Sequence, residues 1–465
     1  MAIQLVQSPA QPYDMAYGPN PITLSGITIN EDKYVLQLFI NGLLIADLRQ
    51  AANSVNKAIF DIQNVLQNYI APSPNNVEQL GFYGNDLMNS TNETCEYTIR
   101  YGTETGGAAP VLEAAIPIRV VFGGTKPYYA VPYSPASFIP SINVSGTCTS
   151  VLKQANVFTD MSSYRFASTI TDGKPSWLTG SMKVYDHYVT KNDMTTMSFY
   201  NKPTVIGNIP TNADSIEAFV FYQYNGNAYL GATTPIYNTQ GNGGGPNAVP
   251  GAGIPVNYPY YAITAATGPL NFQDFDQSAT HYYVTTAPWT GSNCPSTITG
   301  LADASLHDVH RFNIIEEACN NYPTIQVSWL NSYGFRDYYS FRKRHDRNIS
   351  IARNNYLREA ANYNGGSYQV NIYDRGTTTY SQLLEQEWTA YTDFLTDAEA
   401  LYLEKLYISP DVKVRFTDAP GDEGDKWVPV TLINTTYTEK TVRKDKLFQY
   451  DIKFKIAHNI KSQRG

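Results

Sequence analysis

The sequence predicts a mainly β protein with a few short helices, organised as several β-sandwich or barrel-like modules followed by a C-terminal α+β domain. The composition indicates this first: 37 Tyr and 19 Phe occur together with 32 Gly and 27 Pro, and only 16% of the residues are charged. Aromatic residues favour strands, whereas Gly and Pro favour turns. The second observation is that short runs with apolar residues at every second position alternate with turn-forming residues along most of the chain.

The length of the chain allows several domains. Its 465 residues are enough for about two to four domains, each with a core of its own. The pattern predicts four segments, which are an extended N-terminal arm at 1–22, an N-terminal β domain with one short helix at 23–120, a central β domain with a long Gly/Pro loop at 121–320, and the C-terminal α+β domain at 321–465.

The N-terminal part begins with a segment rich in Pro, Gln and Tyr, residues 1–22, which we expect to be extended. It is either an arm that locks an assembly together or a strand that adds to another sheet. The dipeptide Asn41-Gly42 then separates two apolar-rich runs, Tyr34–Ile40 and Leu43–Leu48. Because Asn and Gly tolerate the positive φ of a two-residue turn, this pattern predicts a β-hairpin.

A short amphipathic helix is predicted after this hairpin. Asp61 can cap its first turn, apolar residues recur at helical spacing from Ile62 to Tyr69, and Pro72 follows its end. A helix of about ten residues is not stable by itself in water, so we expect it to pack on the hairpin.

The central segment reads as short strands separated by loops. A hairpin is predicted in SIEAFVFYQYNGNAYLGA, which turns at Asn225-Gly226-Asn227 and carries aromatic residues on both faces. Such a strand is buried on both sides or forms an interface. Residues 238–257 are rich in Gly and Pro and have no charge, which predicts a long mobile loop or an arm that becomes ordered against a partner. Further strands are predicted at IPIRVVFGG, CEYTIRYGTE, YRFAST, SMKVYDHYVT and HYYVTT.

The C-terminal domain opens with a third predicted hairpin. Apolar and polar residues alternate in Thr324–Trp329, which predicts one buried sheet face, and Asn331–Gly334 form the turn before the strand Phe335–Phe341. The capping box T-D-A-E at 396–399 predicts a helix at 397–408. Later strands are predicted at Val412–Phe416, Trp427–Ile433 and Leu447–Ala457, the last with one buried and one solvent-exposed face.

Residues with catalytic or metal-binding chemistry are few. The four cysteines have no metal-binding spacing and are interpreted as buried free thiols. His307 and His310 could bind a metal on a helix, but the residues that follow read as a strand, which would direct the two imidazoles to opposite sides. No nucleotide-binding loop is present, and we expect no catalytic residue, cofactor or metal. The carboxylates considered for glycoside hydrolysis, and interpreted as surface residues, are Asp274, Asp276, Glu385 and Glu387.

Charge is distributed unevenly along the chain. The net charge of −8 disfavours general nucleic-acid binding. Residues 1–320 carry 13 basic and 23 acidic side chains, whereas residues 321–465 carry 20 and 18, so the acidic part of one subunit could meet the basic part of a neighbour. We expect no signal peptide, because the N-terminus lacks a basic and apolar leader, and no membrane span, because no window holds ~18 to 20 apolar residues.

A basic run follows the hairpin of the C-terminal domain and extends from Arg342 to Arg353. It could contact the acidic face of a neighbouring subunit or DNA passing through a channel, and it could also be a solvated strand edge that blocks unwanted pairing. We favour a subunit contact, because the run lacks the exposed aromatic spacing of a base-stacking surface. The candidate interface residues are Arg342, Lys343, Arg344 and Arg347.

Four segments share features with one class of proteins. They are WLNSYGFRDYYSF at 329–341, preceded by Cys319 and Tyr322-Pro323, a strand, hairpin and FD-helix at 34–70, a helix with a Ser-Pro turn at 395–416, and terminal strands at 427–459. They resemble parts of virion structural proteins of tailed bacteriophages, as found in tails, hubs and baseplates. The resemblance is to a broad structural class and implies no catalytic residue.

The leading hypothesis is a non-enzymatic virion protein that forms one copy of a symmetric ring in the tail, tail hub or baseplate, or neck. Its expected partners are copies of itself and other tail or neck proteins, with DNA in a channel as a further candidate, after assembly in the host cytoplasm. The alternatives are a carbohydrate-binding adhesive β-sandwich, because Tyr stacks on sugar rings, and a glycan-cleaving enzyme. A ring predicts large interfaces, an adhesin an exposed aromatic groove, and an enzyme perturbed carboxylates in a cleft.

Overall fold

The chain is mainly β, as predicted, and its sheets are mostly antiparallel. The computed structural model describes residues 3–8, 13–27, 32–71, 87–89, 93–113, 119–125, 159–161, 173–175, 178, 184–200, 204–206, 209–211, 216–232, 236–237, 262–270, 275–288, 309–315, 322–357, 362–364, 367–369, 376–416, 426–434, 449–457 and 461–464. The predicted loop at 238–257 and the candidate strand YRFAST lie outside these residues.

The elements up to residue 314 are twenty strands and one helix among the described residues. They are β1 Gln4–Gln7, β2 Tyr13–Tyr17, β3 Pro21–Ser25, β4 Asp32–Ile40, β5 Leu43–Ala51, β6 Lys57–Asp61, α1 Gln63–Gln67, β7 Leu87–Asn89, β8 Thr94–Thr105, β9 Val111–Leu112, β10 Arg119–Thr125, β11 Val184–Val189, β12 Thr196–Tyr200, β13 Thr204–Ile206, β14 Ile209–Thr211, β15 Ile216–Asn225, β16 Ala228–Ala232, β17 Ile236–Tyr237, β18 Ala262–Ala266, β19 His281–Pro288 and β20 Val309–Ile314.

Ten strands and a second helix follow in the described part of the remaining chain. They are β21 Ile325–Leu330, β22 Arg336–Phe341, β23 His345–Leu357, β24 Asn362–Asn364, β25 Ser367–Gln369, β26 Thr377–Tyr391, α2 Asp397–Ile408, β27 Val412–Phe416, β28 Val428–Leu432, β29 Asp451–Ile456 and β30 Lys461–Arg464.

Contacts divide the chain into two compact units. The first comprises Met1–Glu317 together with Leu330–Tyr338, and the second comprises Ala318–Trp329 and Tyr339–Gly465. The predicted limits of the four segments stay predictions. The three segments predicted within 1–320 are grouped together in the first unit, and so is the hairpin turn at Leu330–Tyr338.

The first unit contains the predicted N-terminal hairpin, which is confirmed. Strands β4 and β5 pair antiparallel with one register shift, between Leu38 and Phe39, and Asn41 and Gly42 adopt φ values of 51° and 76° in the turn. This hairpin is one edge of a sheet with the order β2-β10-β8-β4-β5. The described strands of segment 1–22 pair within the chain, β1 with β3 and β2 with β10.

The predicted first helix is present, but its predicted length is wrong. α1 spans only Gln63–Gln67, and its N-cap is Ile62 without a side-chain hydrogen bond. Asp61 is the last residue of β6, and its carboxylate accepts hydrogen bonds from the backbone N–H groups of Gln63 and Asn20, both at 3.0 Å. The strand therefore continues up to the residue that was expected to cap the helix. The helix packs in the same core as the hairpin, as expected, because Leu66 belongs to that cluster.

A second sheet of the first unit has the order β11-β20-β19-β15-β16. The predicted aromatic hairpin forms β15 and β16, with Gly226 at φ 54° in its turn. Phe221 and Tyr282 are fully buried, and the Tyr282 ring stacks on Phe312 with a centroid distance of 4.9 Å. Tyr229, close to the turn of the hairpin, is exposed, whereas Phe221 and Tyr224 of β15 are buried.

The second unit is built on a sheet with the order β22-β21-β27-β28-β29-β26-β23, in which β30 also pairs with β26. The predicted helix is confirmed as α2, and its capping box is complete between Thr396 and Glu399. Helix α2 buries Tyr402 against Trp329, with a ring centroid distance of 5.1 Å. In β29, Ile452 and Phe454 are buried and Lys453 is exposed, which confirms the predicted alternation in its described residues.

The prediction that one face of β21 is exposed to solvent is wrong. Thr324, Gln326 and Ser328 are buried, as are the apolar residues between them. Gln326 lies opposite Arg415 of β27 and accepts a hydrogen bond of 3.3 Å from its guanidinium. Buried polar groups require such partners, and sequence alternation alone does not distinguish a wet face from a buried hydrogen-bonded one.

No helix of the described residues is long and apolar enough to cross a membrane.

Candidate assembly surface

The feature on which the site is built is a long two-stranded antiparallel ribbon, which we define as β23 and β26. Its register runs from His345 opposite Ala390 to Leu357 opposite Thr377, with a bulge between Asn354 and Asn355. On its other side, β26 pairs with β29 and β30, whereas β23 is the last of the described strands of the sheet. The 13 residues of β23 therefore form an edge strand.

Strand β23 is exposed on both faces. Every residue from Arg347 to Leu357 is exposed within the chain. The exposed fractions are 50% for Ile349, 44% for Ile351 and 81% for Leu357. A strand in a sheet usually buries at least one face, so large exposed apolar side chains at these alternate positions of an edge strand indicate an interaction surface.

One face of the ribbon is apolar along its centre. Side chains of directly opposed residues lie on the same face of an antiparallel pair. The register places Ile351 opposite Leu384 and Arg347 opposite Trp388, with Ile349 between them on the same face. We call Ile349, Ile351, Leu384 and Trp388 the apolar stripe. Its inner end is covered, because the Trp388 ring packs on Phe416 with a centroid distance of 4.8 Å.

The opposite face of the ribbon carries two acidic residues. Glu385 and Glu387 both form ion pairs with Lys455 of β29, at 2.9 Å and 3.0 Å. These are two of the carboxylates considered for glycoside hydrolysis, and both are engaged with the same lysine. Asp276 is an exposed residue whose pKa is lowered by hydrogen bonds from Ser278. The fourth carboxylate, Asp274, lies outside the described residues.

The four predicted interface residues lie just before or at the start of β23, and their environments differ. Arg342 is largely buried and forms an ion pair with Asp393, which Lys343 approaches to 3.5 Å. Arg344 pairs with Asp346 at 2.9 Å and remains 67% exposed. Arg347 is exposed and lies over the Trp388 ring, 5.4 Å from its centroid. Arg342 is therefore committed to a contact within the chain, whereas Arg344 and Arg347 remain accessible.

Sequence reasoning missed a buried polar cluster in the first unit. Asp160 and Asp337 are 2% and 4% exposed. The Asp160 carboxylate accepts hydrogen bonds from the backbone N–H of Ser332, at 2.9 Å, and from its hydroxyl. Burial, together with the neighbouring Asp160 carboxylate, raises the pKa of Asp337 to about 8. The only sequence signal for this cluster is that Asp337 lies in an otherwise aromatic strand, which gives no indication of its partner.

The turn at Asn331–Gly334, which contains Ser332, packs closely on strand β10. A Cβ on Gly124 would lie 2.5 Å from the carbonyl oxygen of Ser332 and 2.7 Å from Cα of Tyr333. A Cβ on Gly334, which has a φ of 89°, would lie 2.5 Å from the carbonyl carbon and oxygen of Gly123. Only glycine allows two backbones to approach this closely. The glycines of β10 and of the turn, together with the carboxylates of Asp160 and Asp337, therefore hold the turn in one position.

The structure describes only one of the two histidines considered as metal ligands. His310 lies in β20, as the predicted strand requires, and His307 is outside the described residues. Burial lowers the pKa of His310 to about 3, and its Nδ1 lies 2.9 Å from Nε2 of His187. Among the described residues no group of three or more His, Cys, Asp or Glu side chains could hold a metal ion. Cys95 is a buried free thiol, as predicted, and burial raises its pKa to about 12.

Comparisons with known proteins do not assign the chain to a family: no protein-family model matches the sequence, and no curated protein matches it.

Proposed function

We propose that this chain is a non-enzymatic structural protein of a bacteriophage virion, a ring-forming subunit of the tail, the tail hub or baseplate, or the neck. Its activity is protein–protein assembly. Its partners are copies of itself and other tail or neck proteins, and it is located in the virion after assembly in the host cytoplasm.

The observation that carries this proposal is the exposure of the ribbon. Burial of apolar surface stabilises by about 25 cal/mol per Å², so the exposed side chains of Ile349, Ile351 and Leu357 are a free-energy cost for an isolated chain. That cost is removed when a second protein covers them. An exposed apolar surface of this kind is typical of a subunit that works in an assembly.

The charge distribution supports the same proposal. Residues 1–320 have an excess of acidic side chains, whereas residues 321–465 are slightly basic. Arg344, Arg347 and Arg353 contribute exposed positive charge to the region of the ribbon. Complementary charges on two copies increase the rate of association and select the correct orientation. This role belongs to these three arginines more than to Arg342, which pairs with Asp393.

Electron microscopy of the purified chain tests the proposal. We expect closed rings of uniform diameter at high protein concentration. Binding of a non-assembling monomer to a defined glycan would contradict the proposal and would favour the adhesive alternative. Hydrolysis of a glycan by the purified chain would favour the enzyme alternative, and loss of that activity in Glu385→Gln or Glu387→Gln would locate it.

A further inference from the structure

We propose that the outer edge of β23 pairs with an edge strand of a second copy of this chain, so that one sheet continues across the boundary between subunits. The inference rests on the proposed function, because it specifies how copies of the chain contact each other. It assigns the contact to backbone hydrogen bonds of β23 and not to the basic side chains that precede it.

The backbone geometry of β23 supports this pairing. From His345 to Asn354 the strand pairs with β26 without irregularity. In an antiparallel pair, alternate residues direct their N–H and C=O groups towards the partner, and the residues between them direct theirs away. Because β23 ends the sheet, about half of its backbone groups point away from every other described strand.

The central part of β23 lacks the features that usually protect an edge strand. Native edges are protected by short length, Lys or Pro residues, or bulges that twist the edge away. β23 has 13 residues and contains neither Lys nor Pro. Its bulge lies at Asn354/Asn355, towards the outer end. Its two arginines, Arg347 and Arg353, flank the uncharged segment Asn348–Ala352, which leaves the central part open to pairing.

The side chains of the ribbon also support this pairing. A strand added beside β23 would place its own side chains next to Ile349 and Ile351, and it would cover the outer part of the apolar stripe. Strand addition takes affinity from main-chain hydrogen bonds and specificity from side chains at alternate positions. The two half-exposed isoleucines fit this arrangement.

Charge complementarity identifies a second copy as the occupant. Arg347 and Arg353 present positive charge on the same face of β23, and residues 1–320 of the chain have 23 acidic and 13 basic side chains. A cyclic ring requires two different surfaces in each contact. The edge of β23 on one copy would therefore meet a strand from another part of the next copy, and not its own equivalent.

Proline substitutions at two neighbouring positions, Ser350→Pro and Ile351→Pro, test the inference. At one of these residues the N–H bonds to β26, and at the other it faces the open edge. Proline is tolerated in an edge strand where the N–H faces outwards. We expect the variant whose replaced N–H faces the open edge to keep the wild-type circular dichroism and melting temperature but to self-associate at least tenfold more weakly. The variant whose replaced N–H bonds to β26 should lose stability.

Two further measurements keep the test decisive if neither proline variant folds. Amide hydrogen exchange of the wild type, at low and high concentration, should become slower in the peptide that covers Asn348–Ala352 as copies associate. The pair Ile349→Lys with Ile351→Lys should weaken association, whereas the control pair Asn348→Lys with Ser350→Lys, on the opposite face with the same added charge, should weaken it less.

The outcomes separate this inference from the proposed function. Assembly with unchanged exchange in Asn348–Ala352, and with a folded proline variant that still assembles, overturns the pairing of β23 and leaves the ring proposal in place. A wild-type chain that stays monomeric at every concentration overturns both. Slowed exchange together with weakened association of the outward proline variant supports the inference.

Discussion

The backbone N–H of Asp160 donates a hydrogen bond of 3.0 Å to Oδ2 of Asp337, although the two residues are 177 positions apart. In return, the Asp160 carboxylate accepts the backbone N–H and the hydroxyl of Ser332 in the turn that precedes Asp337. The two carboxylates and this turn therefore form one buried hydrogen-bonded unit. Because buried carboxylates are costly when charged, the cluster connects the stability of the first unit to pH.

We predict that Asp337→Asn reduces the pH dependence of stability. The folded-state pKa of Asp337 is raised from 3.8 to about 8 by burial and by Asp160. Between these two values the folded chain keeps a proton that the unfolded chain releases, so wild-type stability falls as the pH rises from about 4 to about 8. Asn keeps the carbonyl oxygen but has no charge, so the free energy of unfolding should change less over this range. Denaturant unfolding of the wild type, of this variant and of the exposed control Asp47→Asn measures the effect, and equal slopes for all three would contradict it.

We predict that Gly124→Ala destabilises the first unit by about 1–3 kcal/mol or more, because an added Cβ would meet the backbone of Ser332 and Tyr333 at less than 3 Å. The matched control is Gly376→Ala, where nothing lies within 4 Å of the added Cβ. Thermal unfolding followed by circular dichroism compares the two. Equal melting temperatures for both variants would show that the turn does not pack on β10 as described.

The capping box of α2 gives a prediction for the second unit. Thr396→Ala should lower the free energy of unfolding by about 0.5–2 kcal/mol, because the hydroxyl that accepts the Glu399 N–H is lost. Thr396→Ser keeps that hydroxyl and should remain close to the wild type. If the two variants have the same denaturation midpoint, the cap does not contribute as proposed.

Arg342 and Arg353 should differ in what their removal changes. Arg342→Ala leaves Asp393 with only the more distant and exposed Lys343, so we expect a loss of about 1–3 kcal/mol in the stability of the second unit. Arg353 is exposed on β23, so Arg353→Ala should change stability by less than about 0.5 kcal/mol. Its effect should appear as slower association at low salt, because exposed charges steer encounters and are screened by ions. A stable Arg342→Ala variant with impaired association would reverse this assignment of roles.

Features determined by local sequence were the ones predicted correctly. The turn at Asn41-Gly42 and the helix that starts after Thr396 depend on residues within a few positions of each other. The length of α1 was predicted wrongly: strand pairing of β6 extends to Asp61 and the helix begins only at Gln63, and the apolar spacing up to Tyr69 did not determine its end at Gln67. Propensity is a weak guide where tertiary pairing competes with it.

The candidate surface was predicted only in part, because its character depends on distant partners. The basic run was visible in the sequence, but the pairing of Arg342 with Asp393, 51 residues away, was not. Likewise, the alternation in β21 could not show that Gln326 would be buried against Arg415. The exposure of β23 depends on its position at the end of the sheet, which is set by the order of strands and not by its own residues.

We propose that the chain works by assembling with copies of itself, and its mass in solution over a range of protein concentrations tests this proposal. Size-exclusion chromatography with light scattering should give species much heavier than the 51.8 kDa chain at high concentration, and the equilibrium should move towards the monomer on dilution. A constant mass of one chain at every concentration and ionic strength would contradict self-assembly.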